Sequence, residues 1–456
     1  MNRFEEMLAR QREYVRAGNT RPFSFRLRQL TLLEQALQAD EAVLLQALKE
    51  DLGKAPFEGY ETELGILLEE LRFAKRNLAA WMRPRRVPTP LMHFPSKSVI
   101  VREPLGVVLI LSPWNYPLQL TLAPLIAALS AGNCAVVKPS RYAPKTAAAL
   151  QRMLAACFPP ELVSVVQGGR EENQELLALR FDHIFFTGSP QVGRVVMEAA
   201  AKHLTPVTLE LGGKSPCLID ETAQLDLAAR RIAWGKGLNA GQTCVAPDYV
   251  LLPAGRVKGF AAAYQKAVRR FYGADPLSNP EYPRIVTQRH FERLCRLMES
   301  GTVLWGGRTD PSRLKIEPTL LFGVAPQSAV MQEEIFGPLL PLVPYETTEE
   351  ALGLIESLEK PLAFYLFTRD KALAKRVLLQ VPFGGGCIND TVIHLSNPRL
   401  PFGGVGESGM GAYHGKKGFD TLSHEKSVLL KSDKLDIPFR YPPYGKRLSI
   451  LRKIMR

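Results

Sequence analysis

Hydrophobic positions along the chain follow two different periods, and the change between them divides the sequence. In residues 1 to about 80, leucines recur at helical spacing, and Gly53 ends one helical segment. Further along, helical segments alternate with short, uninterrupted apolar runs at residues 107–111, 135–137, 162–166 and 184–186. Runs this short are typical of strands buried on both faces. Their alternation with helices predicts a parallel α/β sheet.

A proline-rich segment, residues 83–104, separates these two parts and contains the β-rich run 98–102. This pattern predicts an irregular arm that ends in a strand, and such arms often pair with another subunit. A second strand–helix series begins near residue 209 and carries Cys244. At 456 residues, the chain is long enough for more than one domain.

Polar residues directly follow several of the predicted strands, where ligands of parallel sheets bind. Asn115 stands on a proline-bracketed turn and is a candidate donor of an N–H group to a developing oxyanion. Lys138 is a candidate partner for ribose hydroxyls. Residues 187–189, at the predicted start of a helix, are candidates for binding a pyrophosphate through backbone N–H groups.

Cys244 follows Gly241, Gln242 and Thr243, a setting that brings backbone and polar groups close to a ligand. A cysteine nucleophile needs its thiolate form, and its products need a base that activates water. Glu210 lies among apolar residues and glycines, so burial would raise its pKa and suit it to general-base chemistry. Each residue alone also has an ordinary structural interpretation. The order of the whole set favours the functional one.

Composition and charge narrow the classes of protein. Hydrophobic content of 46% and charged content of 23% are those of a soluble globular protein. Six scattered cysteines without a CxxC pair argue against a metal site and against a disulfide framework, and they predict a cytoplasmic location. The net charge of +13 leaves a polyanion-binding protein as an alternative class. However, the basic residues are dispersed, so we expect no nucleic-acid partner.

The tail, residues 441–456, is basic, and residues 446–456 mix apolar and basic side chains at near-helical spacing. A short basic amphipathic helix predicts weak contact with an anionic membrane surface. Packing on its own subunit and disorder are the alternatives. The segment is too short to span a bilayer.

A series of motifs resembles, in order, that of the NAD(P)-dependent aldehyde dehydrogenase superfamily. The motifs are Trp114-Asn115-Tyr116-Pro117, Val137-Lys138-Pro139-Ser140, Phe186-Thr187-Gly188-Ser189, Leu209-Glu210-Leu211-Gly212-Gly213-Lys214, Gly241-Gln242-Thr243-Cys244, Glu334-Ile335-Phe336-Gly337-Pro338 and Pro401-Phe402-Gly403-Gly404. The short N-terminus, residues 404–416 and residues 440–444 resemble the class 3 branch, which is dimeric and oxidises medium- to long-chain aliphatic and aromatic aldehydes.

The resemblance implies an α/β fold with a Rossmann-type cofactor-binding domain, an α/β catalytic domain and a small β oligomerisation arm. The implied ranges are 1–82 and 105–208 for the cofactor-binding domain, 209–412 for the catalytic domain, 83–104 and 413–440 for the arm, and 441–456 for the tail.

The resemblance also assigns roles. Cys244 attacks the aldehyde, Asn115 holds the oxyanion, and Glu210 activates the water that hydrolyses the thioester. The implied residues for NAD or NADP are Lys138, Ser140, Arg141, Thr187, Gly188, Ser189, Gly193, Leu211, Gly212, Glu334 and Phe336. The implied substrate-pocket residues are Tyr116, Thr243 and Phe402. Gly241 is expected to let the chain pass close to the nicotinamide.

Two positions depart from the family pattern. Arg141 stands where the family usually has an acid that repels a 2′-phosphate, which predicts substantial use of NADP. Glu407 replaces a neutral amide of class 3 members.

Two alternative functions stay open: a dehydrogenase that passes the acyl group to coenzyme A, and a cofactor-binding scaffold without catalysis. Glu210 argues against the first, and the intact set of Asn115, Glu210 and Cys244 argues against the second.

Overall fold

The computed structural model describes residues 2–455. Its α-helices are α1 (Arg3–Arg16), α2 (Phe23–Ala39), α3 (Glu41–Leu52), α4 (Pro56–Gly59), α5 (Gly65–Met82), α6 (Gln119–Ala131), α7 (Pro144–Cys157), α8 (Arg170–Leu177), α9 (Pro190–Ala201), α10 (Leu225–Gly237), α11 (Val257–Tyr272), α12 (Gln288–Met298), α13 (Ala329–Gln332), α14 (Thr348–Ser357), α15 (Lys371–Gln380), α16 (Gly415–Thr421) and α17 (Leu448–Ile454). The helices predicted for the first 80 residues are confirmed.

The strands form two large sheets and smaller ones. They are β1 (Arg85–Val87), β2 (Ser96–Pro104), β3 (Val107–Leu111), β4 (Cys134–Lys138), β5 (Val163–Val165), β6 (His183–Thr187), β7 (Val207–Glu210), β8 (Pro216–Ile219), β9 (Tyr249–Pro253), β10 (Thr302–Trp305), β11 (Thr309–Asp310), β12 (Lys315–Ile316), β13 (Thr319–Phe322), β14 (Leu339–Tyr345), β15 (Ala363–Phe367), β16 (Gly385–Ile388), β17 (Gly409–Met410) and β18 (Ser423–Lys431).

The first sheet has six strands in the order β17-β7-β6-β3-β4-β5. Its strands run parallel except β17, which pairs antiparallel to β7. β3, β4 and β6 are buried at every position, because helices cover both faces of the sheet. The parallel sheet predicted from the four apolar runs is therefore confirmed. Its carboxyl edge presents the turns that follow β3, β4 and β6.

The second sheet has seven strands in the order β10-β13-β14-β9-β8-β15-β16, parallel except for the edge strand β10. Cys244 precedes β9 near the middle of this sheet. β7 and β17 belong to the first sheet, and the strands of the second sheet lie between them in sequence. The chain therefore leaves the first sheet after β7 and returns to it at β17. The domain limits given by the sequence stay a prediction.

The arm is a three-stranded antiparallel sheet in the order β1-β2-β18. β2 pairs with β18 over nine residues, from Ser423 opposite Pro104 to Lys431 opposite Ser96. β18 is exposed along nearly its whole length, including Val428, Leu429 and Leu430. Within residues 2–455, no helix is long and apolar enough to cross a membrane.

Candidate active site

Three cavities lie along the carboxyl edges of the two large sheets. The first, of about 210 Å³, is mostly apolar; the second, of about 990 Å³, is a groove with a larger polar share in its lining; the third, of about 590 Å³, lies at the ends of β3 and β4. Cys244 lines both the first and the second cavity. Gln191, on α9, lines both the second and the third. A thiol thus stands between an apolar chamber and a larger groove of mixed polarity.

Three consecutive left-handed residues shape the loop before Cys244. The φ angles of Asn239, Ala240 and Gly241 are 50°, 52° and 75°. A Cβ atom on Gly241 would lie 2.2 Å from the carbonyl oxygen of Gly337. The Gly337 carbonyl therefore leaves no room for a side chain at position 241, and the close approach of the chain to the nicotinamide at Gly241 stays a prediction. Left-handed alanine and asparagine store strain, which accumulates at functional sites.

Electrostatics keep Cys244 protonated in this conformation. Burial raises the pKa of its thiol first, and the nearby Glu334 and Glu210 raise it further. The backbone N–H groups of Cys244 and Val245 act in the opposite direction and lower this pKa. Because those N–H groups point at the sulfur, they are also placed to meet negative charge that forms beside it.

Asn115 lines the same groove as Cys244, on the turn after β3. Its Nδ2 donates to the carbonyl oxygen of Gln242, 3.2 Å away and two residues before Cys244. An amide nitrogen carries two N–H donors, so one is left for a ligand in the groove. The structure therefore brings Asn115 next to the Cys244 loop, although they lie far apart in sequence.

Glu210 ends β7, where it pairs with Thr187 of β6 and Gly409 of β17. It is only 2% exposed, and neither carboxylate oxygen has a hydrogen-bond partner among the described residues. Burial raises its pKa well above the usual value. The side chain lines the groove beside Cys244. An unpartnered buried carboxylate binds a proton more readily than an exposed one, which suits it to general-base chemistry.

Glu334 lies across the groove from Glu210, and burial raises its pKa to about 8. A Cβ atom on Gly212 would lie 1.9 Å from its Oε2, so a side chain at this position would displace the Glu334 carboxyl. Phe336, with a φ of 50°, packs edge-on against Trp114 at 5.5 Å between ring centroids. Leu211 also lines this groove.

The start of α9 lies between the second and third cavities. Ser189 caps this helix by accepting from the Val192 N–H at 3.4 Å, and Thr187, Gly188 and Ser189 line the groove. A helix N-terminus presents free backbone N–H groups, which bind phosphates. Gly193 lines neither cavity; a Cβ atom there would lie 2.9 Å from the Leu211 side chain.

The third cavity contains Lys138, Ser140 and Arg141, with Arg170 and Arg289. Lys138 Nζ donates to the Gly168 carbonyl at 2.6 Å, and burial lowers the pKa of Lys138. Arg141 is exposed and lies over the ring of the neighbouring Tyr142. Arg170 and Arg289 escaped prediction because they come from separate helices whose approach depends on tertiary packing.

The first cavity is lined by the predicted Tyr116, Thr243 and Phe402. The Tyr116 hydroxyl and Thr243 Oγ1 are 2.6 Å apart. Several further lining residues were not predicted from the sequence: Glu61, Thr62, Ile66, Gln119, Leu120, Trp234, Leu238, Val392, Ile393, Leu395, Ser396, Tyr413 and His414. They come from α5, α6, α10 and late loops. No single stretch of sequence carries a signal for such a wall.

Comparison with known proteins assigns the chain to one protein family. The sequence fits the profile of the aldehyde dehydrogenase family over residues 2–428. The chain belongs to the aldehyde dehydrogenase family. It is 48% identical over 450 residues to human aldehyde dehydrogenase family 3 member B1, covering 98% of this chain and 96% of that protein. It is 45% identical over 458 residues to the 4,4'-diaponeurosporen-aldehyde dehydrogenase of Staphylococcus aureus, covering 100% of both chains.

Solved structures agree with the sequence comparison. A substrate-bound state of Staphylococcus aureus AldH matches this aldehyde dehydrogenase with a TM-score of 0.98, at 45% identity and with 100% of both chains covered. An NAD-dependent aldehyde dehydrogenase from Sinorhizobium meliloti matches with a TM-score of 0.87, at 27% identity, covering 96% of this chain and 88% of that one. The enzyme is thus an NAD(P)-dependent oxidoreductase that converts aldehydes to carboxylic acids, and the predicted fold, family and cofactor class are confirmed.

Proposed function

We propose that Cys244 is the nucleophile of this aldehyde dehydrogenase. We further propose that, because Cys244 lies between two cavities, the aldehyde approaches it from one cavity and the cofactor from the other. The aldehyde occupies the apolar first cavity, and its carbonyl carbon meets Cys244 Sγ at the shared wall. As the carbon–sulfur bond forms, the thiol passes its proton to the Glu210 carboxylate in the same groove, and Glu210 then releases that proton to solvent. The Asn115 side chain and the Cys244 backbone N–H stabilise the resulting oxyanion, and a preorganised donor of this kind contributes ~3 kcal/mol to catalysis.

The start of α9 and the close contact of Gly212 with Glu334 support the binding of a dinucleotide cofactor in the groove and the third cavity. When bound, the cofactor supplies a hydride acceptor. Glu334 and Phe336 would hold the end near Cys244, residues 187–189 would hold the pyrophosphate, and Lys138 and Ser140 would hold the distal ribose. The buried Lys138 ammonium, which donates to the Gly168 carbonyl, would donate to a ribose hydroxyl.

Loss of hydride from the thiohemiacetal leaves a thioester on Cys244. Glu210 takes a proton from water, the water oxygen attacks the thioester carbon, and the carbon–sulfur bond breaks to release the carboxylic acid. The two unpartnered oxygens of Glu210 support this role. They also favour hydrolysis over transfer to coenzyme A, since a thiol acceptor needs no water-activating base.

The lining of the first cavity supports medium- or long-chain aliphatic and aromatic aldehydes as substrates. Its aliphatic and aromatic side chains, with Trp234 and Phe402 among them, bind neutral apolar groups. Arg141, together with Arg170 and Arg289, supports binding of the 2′-phosphate of NADP in the third cavity.

A panel of aliphatic and aromatic aldehydes, assayed with NAD and with NADP, tests both proposals. We expect kcat/KM to rise with the apolar surface of the aldehyde, and Arg141→Glu to lower kcat/KM with NADP more than with NAD. Equal effects on the two cofactors would remove the role of Arg141. A preference for small polar aldehydes would remove the substrate class.

We further propose a cytoplasmic homodimer. The six cysteines are all unpaired, which fits a reducing compartment. The exposed edge strand β18, with Val428, Leu429 and Leu430, fits pairing with a second copy of the chain. Light scattering at micromolar concentration tests the dimer, and a molar mass near the 50.7 kDa of one chain would contradict it.

Weak contact of the tail with a membrane surface is also proposed. Leu448, Ile450 and Leu451 on α17 are exposed, and basic residues follow and precede them. Sedimentation with anionic vesicles tests this contact. The full chain is expected to sediment more than a variant truncated after Gly445. Equal soluble fractions of the two would contradict contact of the tail with the membrane surface.

A further inference from the structure

A fully buried ion pair stands directly behind the turn that carries Asn115. Lys54 Nζ lies 2.6 Å from Glu63 Oε1, and both side chains have no exposed surface. Neither residue lines the three cavities of the active site. A buried ion pair costs desolvation energy that its own attraction offsets only partly, so this pair is weak evidence of stabilisation by itself.

Lys54 contacts the turn from one side. It follows Gly53, whose left-handed φ of 73° ends α3 and redirects the chain toward the interior. Its Nζ donates to the carbonyl oxygen of Asn115 at 2.9 Å and lies 3.8 Å from the centre of the Tyr116 ring. One ammonium group therefore fixes two consecutive residues of the turn.

Glu63 contacts the same turn from its other end. Its Oε2 accepts from the N–H groups of Leu118 at 2.8 Å and Gln119 at 3.2 Å. Glu63 itself lies in the π-helical turn Tyr60–Leu64, a local widening that is frequent at functional sites. The pair thus clamps the turn through a carbonyl before it and two N–H groups after it.

We propose that Lys54 and Glu63 are positioning residues that orient Asn115 as the oxyanion donor. The direction of the Asn115 side chain depends on the orientation of its own peptide plane, and Lys54 holds the carbonyl of that plane. Asn239 Nδ2 donates to the same carbonyl at 2.8 Å, which links the turn to the loop of Cys244. This inference rests on the proposed role of Asn115.

A double-mutant cycle between Lys54→Met and Asn115→Ala tests the proposal. Lys54→Met in the holoenzyme is expected to lower kcat by about 10²-fold, the effect of a small misplacement of a catalytic donor. The KM for aldehyde and the Kd for cofactor should change less than about twofold, since neither ligand touches Lys54. In the Asn115→Ala background, Lys54→Met should cause no further loss of kcat.

Glu34→Gln is the matched control. Glu34 pairs with Arg72 and Lys75 between α2 and α5, away from the cavities, so this variant should lose stability and keep kcat. If Lys54→Met shows no cooperative unfolding transition and so does not fold, the double variant Lys54→Met/Glu63→Gln, which removes both charges, replaces it in the cycle.

The outcomes separate this inference from the proposed function. A normal kcat in Lys54→Met would mean that the pair serves stability alone, and an equal loss of kcat in both backgrounds would mean that Lys54 acts independently of Asn115; either result would overturn the positioning role. A normal kcat in Asn115→Ala would remove the oxyanion role of Asn115 and the positioning role with it. Loss in Asn115→Ala without loss in Lys54→Met would overturn the positioning role alone.

Discussion

Glu58 makes the stability of this enzyme depend on pH in a defined window. Its Oε1 accepts from the Asn239 N–H at 2.7 Å, directly before the left-handed residues that lead to Cys244. Burial raises its pKa from 4.5 to about 7, although Lys54 and the Asn239 N–H act against the rise. The folded protein therefore keeps a proton that the unfolded chain releases, and stability falls as pH rises from about 4.5 to 7.

The difference between these two pKa values corresponds to a loss of ~3 kcal/mol in the free energy of unfolding, and the loss is complete above pH 7. Glu58→Gln keeps an acceptor for the Asn239 N–H and removes the ionisation. We expect its unfolding free energy to match that of the wild type near pH 4.5 and to exceed it by up to ~3 kcal/mol at pH 8.

Urea unfolding between pH 4.5 and pH 8 measures this difference, with exposed Glu13→Gln as the control. Taking the difference between variants cancels the titration of distant groups. A gap between wild type and Glu58→Gln that stays constant across this range would refute the reasoning, because Glu58 would then carry the same charge in both states.

Two further predictions concern the cavities. Gly212→Ala displaces the Glu334 carboxyl that is proposed to hold the cofactor, so we expect the cofactor Kd measured by calorimetry to rise about tenfold, which corresponds to ~1.4 kcal/mol of binding free energy. An unchanged Kd would contradict the role of Glu334 in holding the cofactor. Glu61 lines the first cavity as an acid, so a carboxylate-bearing aldehyde should be a poorer substrate than a neutral one of equal length. Glu61→Gln should narrow this gap in kcat/KM, and an unchanged gap would exclude Glu61 as its cause.

The sequence predicted the parallel sheet and the strand-end turns because those signals are local. Buried strands are short apolar runs, and the residues that follow them necessarily meet at one edge of the sheet. Asn115 could be singled out for this reason, whereas Glu210 and Cys244 were singled out by the glycines and other residues next to them in the sequence. Their family order then fixed the class of enzyme.

Other features depend on contacts that no local pattern carries. The wall of the first cavity joins side chains such as Glu61, Trp234 and His414 from distant elements. Gly241 has no room for a side chain because of the carbonyl of Gly337, which is distant in the sequence. Lys54 and Glu63 looked like ordinary charged residues of a helical region, and only the fold shows that they are buried behind Asn115.

The central claim is that catalysis passes through a thioester on Cys244 that Glu210 resolves. Mass spectrometry of Glu210→Gln, quenched in acid after mixing with aldehyde and cofactor, tests it most directly. The account predicts one equivalent of reduced cofactor per active site and an acyl group on the peptide that contains Cys244, with neither in Cys244→Ala. Full turnover in Cys244→Ala, or an acyl group on another cysteine, would contradict it.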